Sequence, residues 1–101
     1  MRKIFLFCNA GMSTSMLVNK MKDTAAKENY EVEIHAYPVS EVAKYGAEAD
    51  IVLLGPQIRF NQGKVKAQLP NIPVEVIDIV DYGTMNGKGV IDKVKKILGD
   101  I

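Results

Sequence analysis

The side chain in this sequence best suited to covalent chemistry is Cys8, and the residues that follow it decide what chemistry that is. Asn9-Ala10-Gly11-Met12-Ser13-Thr14-Ser15 is small and hydroxyl-rich, and it leads from an apolar run into a helical pattern. Gly11 permits a tight turn. Successive amides in such a turn converge on one anion, and the unpaired N–H groups and positive dipole end of a following helix reinforce them. From Ile4 to Asn19 no side chain is charged, so no internal carboxylate occupies that dipole end. The same field favours a thiolate over a thiol, which makes the sulfur a nucleophile. A thiolate beside an anion cradle points to a phosphocysteine intermediate. We therefore take Cys8 as the candidate nucleophile and Asn9, Ala10, Gly11, Met12, Ser13, Thr14 and Ser15 as the phosphate-binding loop. One of Ser13, Thr14 and Ser15 is also expected to cap the helix.

A lone cysteine is most often a small buried hydrophobe; what argues for a chemical role is its place among the elements. Four short apolar runs recur, Lys3 to Phe7, Glu31 to Tyr37, Asp50 to Leu54 and Val74 to Ile79, with helical patterns between them. Leu17, Met21 and Ala25 repeat at helical spacing after the first run. Val90, Val94, Ile97 and Leu98 do so near the end, with Gly99 as the stop. Ser40 is expected to cap a short helix through Tyr45, and a helix from about Gln57 to Leu69 is expected to be interrupted at Gly63.

Strands alternating with helices imply right-handed βαβ units, hence an α/β fold with a parallel sheet covered on both faces. Ile4-Phe5-Leu6-Phe7 and Ile51-Val52-Leu53-Leu54 are apolar throughout, as central strands should be. The second and fourth runs interleave charged residues and belong at the edges. The expected order is 2-1-3-4. In such a sheet ligands bind beyond the carboxyl ends of the strands where the order reverses, which is where Cys8 stands.

Composition narrows the function classes. The chain has 101 residues, 13 basic and 12 acidic, one cysteine and one histidine, His35. That length suits a single domain, 1–101, with one real core. One cysteine forms no internal disulfide and no dithiol redox pair, and with one histidine it supplies no zinc cluster. A net charge of +1 without a basic run leaves no footprint for nucleic acid. Apolar runs fall far short of the ~20 residues that cross a bilayer. Met1-Arg2-Lys3 with only Ile4 to Cys8 behind it is too short for a signal peptide, so a cytoplasmic location is expected.

Phe5-Leu6-Phe7-Cys8-Asn9-Ala10-Gly11-Met12-Ser13-Thr14-Ser15, together with Leu54-Gly55-Pro56-Gln57-Ile58, Pro73-Val74-Glu75-Val76-Ile77-Asp78 and Tyr82-Gly83, resembles the enzyme IIB component of the lactose/cellobiose (N,N'-diacetylchitobiose) family of the bacterial sugar phosphotransferase system. The resemblance spans essentially the whole chain. It implies a four-stranded parallel sheet flanked by helices, similar to low-molecular-weight tyrosine phosphatase. It also implies that Cys8 receives a phosphoryl group from a phosphohistidine on the IIA component and passes it to a sugar held by the membrane component IIC. No metal or cofactor is implied, and a monomer is the expected form.

Two other readings compete. The low-molecular-weight phosphatase loop is a cysteine, five residues and an arginine, but Thr14 stands where that arginine would be, so the bidentate clamp on the transition state is missing. A flavodoxin-like FMN-binding module is the other, with Tyr82 the obvious side chain to stack on a flavin. Gln57 and Arg59 follow the third strand and are candidates to line the crevice beside Cys8. Asp78 and Tyr82, placed at the end of the fourth, are further candidates for its rim. His35, mid-strand among carboxylates, reads as a surface residue.

Overall fold

Alternate residues of one strand serve two different cores. The computed structural model describes residues 1–9 and 11–100. In β1 (Arg2–Cys8), Ile4 and Leu6 join a buried cluster with Leu17, Met21, Ile34 and Ile91, whereas Phe5 and Phe7 point to the other face and join Val42, Leu54, Val65 and Val74. This is the period-2 alternation of a strand applied to a sheet covered on both sides. β2 (Val32–Pro38), β3 (Ile51–Leu54) and β4 (Val74–Val76) complete a wholly parallel sheet in the order β2-β1-β3-β4, as expected. All four residues of β3 are buried, while β2 and β4 are mixed, in keeping with centre and edge. His35 is half exposed beside Glu33.

Helices α1 (Gly11–Lys27) and α5 (Gly87–Leu98) cover the first face, and the shorter α2 (Val42–Tyr45) and α3 (Gln62–Gln68) cover the second. The α1–α5 contact is close because Gly87 lacks a side chain: a Cβ there would sit 2.5 Å from the Lys20 carbonyl carbon and 2.7 Å from the Met21 amide nitrogen. Glu28, just past α1, pairs with Lys95 and with Lys88 of α5. The hydrogen bond from Lys95 holds the Glu28 carboxyl below its ordinary range. α5 ends at Gly99 in the left-handed conformation, as the sequence requires.

At the amino-terminal ends of the strands Arg2 meets Asp100. Asp100 accepts from Arg2 Nη2 at 2.8 Å and Nε at 3.0 Å, and from the Tyr30 hydroxyl. Those bonds, Arg2 first, depress the Asp100 carboxyl, while burial and the Asp100 contact raise the Tyr30 hydroxyl.

Four expectations need correction. The fourth strand stops at Val76 rather than Ile79, and Asp78 instead starts a helix, α4 (Ile79–Gly83), its carboxylate accepting from the amides of Val80 at 2.8 Å and Asp81 at 3.4 Å. Ser40 caps nothing, because it lies inside a 3₁₀ turn (Val39–Glu41) whose leading residue is Pro38. Gly63 does not interrupt its helix; the break lies earlier, at Ile58, inside the 3₁₀ segment Pro56–Asn61 that precedes α3. Ser13, Thr14 and Ser15 all lie within α1 rather than at its cap.

Candidate active site

Cys8 is the last residue of β1, and the chain passes through Asn9 and Ala10 into α1. Its thiol is at the carboxyl end of a central strand, where the sheet order reverses. Ala10 lies outside the described residues, and of Gly11, Met12 and Ser13 only the backbone is described. Asn9 and Ser15 are exposed. α1 has no acidic residue in its first turn, so its dipole end meets the loop without an internal counter-charge.

Thr14 is different from its hydroxyl neighbours. It is 1% exposed, and its Oγ1 donates to Cys8 Sγ at 2.8 Å. The Tyr82 hydroxyl lies 3.4 Å from the same Oγ1. A threonine hydroxyl has one proton. With that proton directed at sulfur, Tyr82 is the donor to Thr14, and the two hydroxyls form a chain, Tyr82 to Thr14 to Cys8. A donor aimed at sulfur stabilises negative charge there, and burial of all three groups strengthens the interaction.

The third element comes from the end of β3. The Gly55 amide donates to the Phe7 carbonyl at 3.0 Å, binding this turn to the strand that carries Cys8. A Cβ on Gly55 would lie 3.3 Å from Cys8 Cβ and 2.9 Å from Gln57 Oε1. Glycine is thus the residue that lets the turn pass beside the cysteine, and it brings the Gln57 carboxamide into the same neighbourhood. Arg59 is turned elsewhere: its Nη1 donates to the Pro56 carbonyl at 3.0 Å and its guanidinium stacks 4.5 Å from the Phe60 ring centroid.

Gln57, Arg59 and Tyr82, with Pro56, Ile79 and Gly83, line a groove of 180 Å³. Asp78 and Lys93 help to line a neighbouring one of 340 Å³ that shares Pro56, Arg59 and Ile79. Gln57, Arg59 and Tyr82 thus share one groove and Asp78 lines the adjoining one; of the four, Tyr82 touches Thr14, Gln57 lies beside Gly55, and among the described residues no contact ties Arg59 or Asp78 to the cysteine loop. Asp78 and Tyr82 both leave the strand end where they were expected, Asp78 as a helix cap, and Tyr82 changes part the more. It is a buried residue of α4 in contact with Thr14, not an end-of-strand rim residue, and the missed signal was Asp78 as a helix cap. Sequence reasoning also passed over Phe60, Ile79 and Val80, which are large, apolar and exposed. Among the described residues no group of three or more His, Cys, Asp or Glu is placed to hold a metal, and no helix is long and apolar enough to cross a membrane.

A family model described as "PTS system, Lactose/Cellobiose specific IIB subunit" matches residues 3–93. The chain belongs to that family. Among IIB relatives, the galactose-specific EIIB component of Lactococcus lactis subsp. cremoris is 38% identical over 102 residues, covering 94% of each chain. The oligo-beta-mannoside-specific EIIB component of Bacillus subtilis is 39% identical over 100 residues, covering 97% of each. Solved IIB structures agree in fold. The cellobiose-specific IIB component from Borrelia burgdorferi superposes with a TM-score of 0.80 at 38% identity, covering 98% of this chain and 93% of that one. The lactose-specific IIB domain from Streptococcus pneumoniae reaches a TM-score of 0.85 at 15% identity, covering 94% and 95%, a likeness of fold alone.

Proposed function

We propose that this IIB chain is a phosphocarrier in which Cys8 takes a phosphoryl group from a phosphohistidine of IIA and delivers it to a sugar bound by the membrane component IIC. The observation that carries this reading is the hydrogen bond from buried Thr14 to Cys8 Sγ at the head of α1. It sets a donor on the sulfur, where it lowers the cost of the negative charge that this chemistry requires.

In the first step the Cys8 thiolate attacks phosphorus in line. The S–P bond forms, the P–N bond of the phosphohistidine breaks, and the imidazole nitrogen leaves with the electron pair. Amides of the loop from Asn9 to Ser15 hold the equatorial oxygens. In the second step a sugar hydroxyl attacks phosphorus, the S–P bond breaks, and Cys8 leaves as thiolate, while the hydroxyl proton passes to a base on the membrane partner. Stabilising the thiolate helps it as leaving group in one step and maintains it as nucleophile in the other. Neither step as written calls on a metal or nucleotide.

The work takes place on the cytoplasmic side, and the sugar is a β-linked disaccharide such as cellobiose, chitobiose or lactose. The choice among sugars lies with IIC. Relatives named for galactose, oligo-beta-mannoside and cellobiose stand at 38%, 39% and 38% identity, so overall likeness does not rank the sugars.

The test supplies phosphoenolpyruvate, the general phosphotransferase proteins and a panel of lactose/cellobiose-family IIA chains, and reads intact mass. Wild type gains one phosphoryl group and Cys8→Ala gains none. Uptake by the alanine variant would overturn the assignment to Cys8, and failure of wild type with every IIA would overturn the carrier reading.

A further inference from the structure

We infer that Gln57 is a ligand of the phosphoryl group carried on Cys8, its carboxamide donating to a phosphoryl oxygen from the β3 side of the crevice while the loop amides hold the group from the α1 side. The inference rests on the carrier reading above.

The turn after β3 sets the position. The Gly55 amide donates to the Phe7 carbonyl at 3.0 Å, which holds this turn against the strand that ends in Cys8. The point that a Cβ on Gly55 would occupy lies 2.9 Å from Gln57 Oε1 and 3.3 Å from Cys8 Cβ. The carboxamide and the cysteine side chain therefore flank one small space, which the absence of a side chain at Gly55 leaves open. Gln57 also lines the 180 Å³ groove that contains Tyr82, whose hydroxyl reaches Thr14.

Gln57 is also uncommitted. It is exposed, and among the described residues its carboxamide has no hydrogen-bond partner. Its polar neighbours in the chain are engaged: Gln62 Nε2 donates to the Val74 carbonyl at 3.0 Å, and Arg59 donates to the Pro56 carbonyl and stacks on Phe60. The terminal torsion of a glutamine is broad and roughly two-fold, so with no bond to fix it the NH2 group turns to where the oxygen now lies. Thr14 already serves the sulfur when Cys8 is free. Gln57 has nothing to serve until a phosphoryl group fills the space between it and Cys8. A carboxamide donor carries no formal charge and grips a dianion less tightly than a bidentate guanidinium, which suits a group that must be handed on.

The test follows the transfer equilibrium between a phosphorylated IIA chain and this protein, read by intact mass of both partners. Gln57→Leu removes the donor at similar side-chain length, and Gln57→Glu places a carboxylate there. Both move the equilibrium toward phosphorylated IIA, Gln57→Leu by roughly ten-fold. Gln57→Glu moves it further because like charges repel, and added salt narrows its extra loss. Proton–nitrogen correlation spectra of wild type follow the side-chain amides directly. On phosphorylation the Gln57 signals move, while those of Gln62, bonded to the Val74 carbonyl, hold. An equilibrium unchanged in both variants, or Gln57 signals that hold, overturns the inference and leaves the carrier reading intact. A raised KM for the IIA chain with the equilibrium unchanged assigns Gln57 to contact with the donor protein and also overturns it. Absence of phosphorylation in wild type instead removes the carrier reading beneath it.

Discussion

The hydroxyl of Thr14 lies 2.8 Å from the sulfur of Cys8, six residues earlier in the chain and in a different element. Replacing this threonine by valine keeps the volume and removes the donor. A hydrogen bond to a charged group is worth about 1.5–3 kcal/mol, so Thr14→Val should slow phosphoryl uptake by roughly 10- to 150-fold. Thr14→Ser, which keeps the hydroxyl, should recover most of the rate. The comparison is read from single-turnover transfer with a phosphorylated IIA chain, and equal rates for the two variants would show that the donor does not matter.

Tyr82→Phe deletes only the outer hydroxyl of the chain. The contact is longer, 3.4 Å, and between neutral groups, so the expected loss is a few-fold. The informative measurement is the double variant with Thr14→Val. If Tyr82 acts through Thr14, the two losses are not additive, and the double variant is no slower than Thr14→Val alone.

Gly87→Ala places a methyl carbon within 3 Å of the backbone of Lys20 and Met21. Backbone cannot rotate away as a side chain can, so the helices must separate. We expect about 1–3 kcal/mol of lost stability, measured by urea denaturation, with Gly63→Ala, which meets no atom within 4 Å, as the harmless control.

The Asp100 carboxyl is depressed by Arg2 and then by Tyr30. A carboxyl whose folded value lies below its unfolded value adds stability above the unfolded value and loses it as pH falls through the folded one. Asp100→Asn should therefore melt below wild type at neutral pH, and the two melting curves should converge in the acid range. A gap independent of pH would mean that the charge on Asp100 is not what stabilises this edge.

The sheet order was legible because burial on both faces leaves its mark on composition: Ile51 to Leu54 has no polar residue, whereas Glu31, Glu33 and Glu75 announce edges. The end of β4 was not, since Ile77-Asp78-Ile79 continues an extended pattern and only the lack of a partner stops it. β3 ends at Leu54, so pairing runs out at Val76 and Asp78 is free to cap α4. At the site, Cys8 and its loop declared themselves through residue type and position. The part played by Tyr82 did not, because a separation of 68 residues from Thr14 is closed only by folding α4 against the head of α1. Ser40 misled because it falls between two caps, two residues after Pro38, which leads the 3₁₀ turn, and one before Glu41, which leads α2.

The latch of Arg2, Tyr30 and Asp100 has a practical consequence. Arg2 and Asp100 lie at the amino-terminal ends of the strands and Cys8 at the carboxyl end of β1, separated by the length of that strand, about 20 Å at the usual rise per residue. A fluorophore, affinity handle or tether carried beside this latch therefore stands behind the molecule. The chain can be immobilised on a sensor surface with its cysteine loop facing the bulk solution.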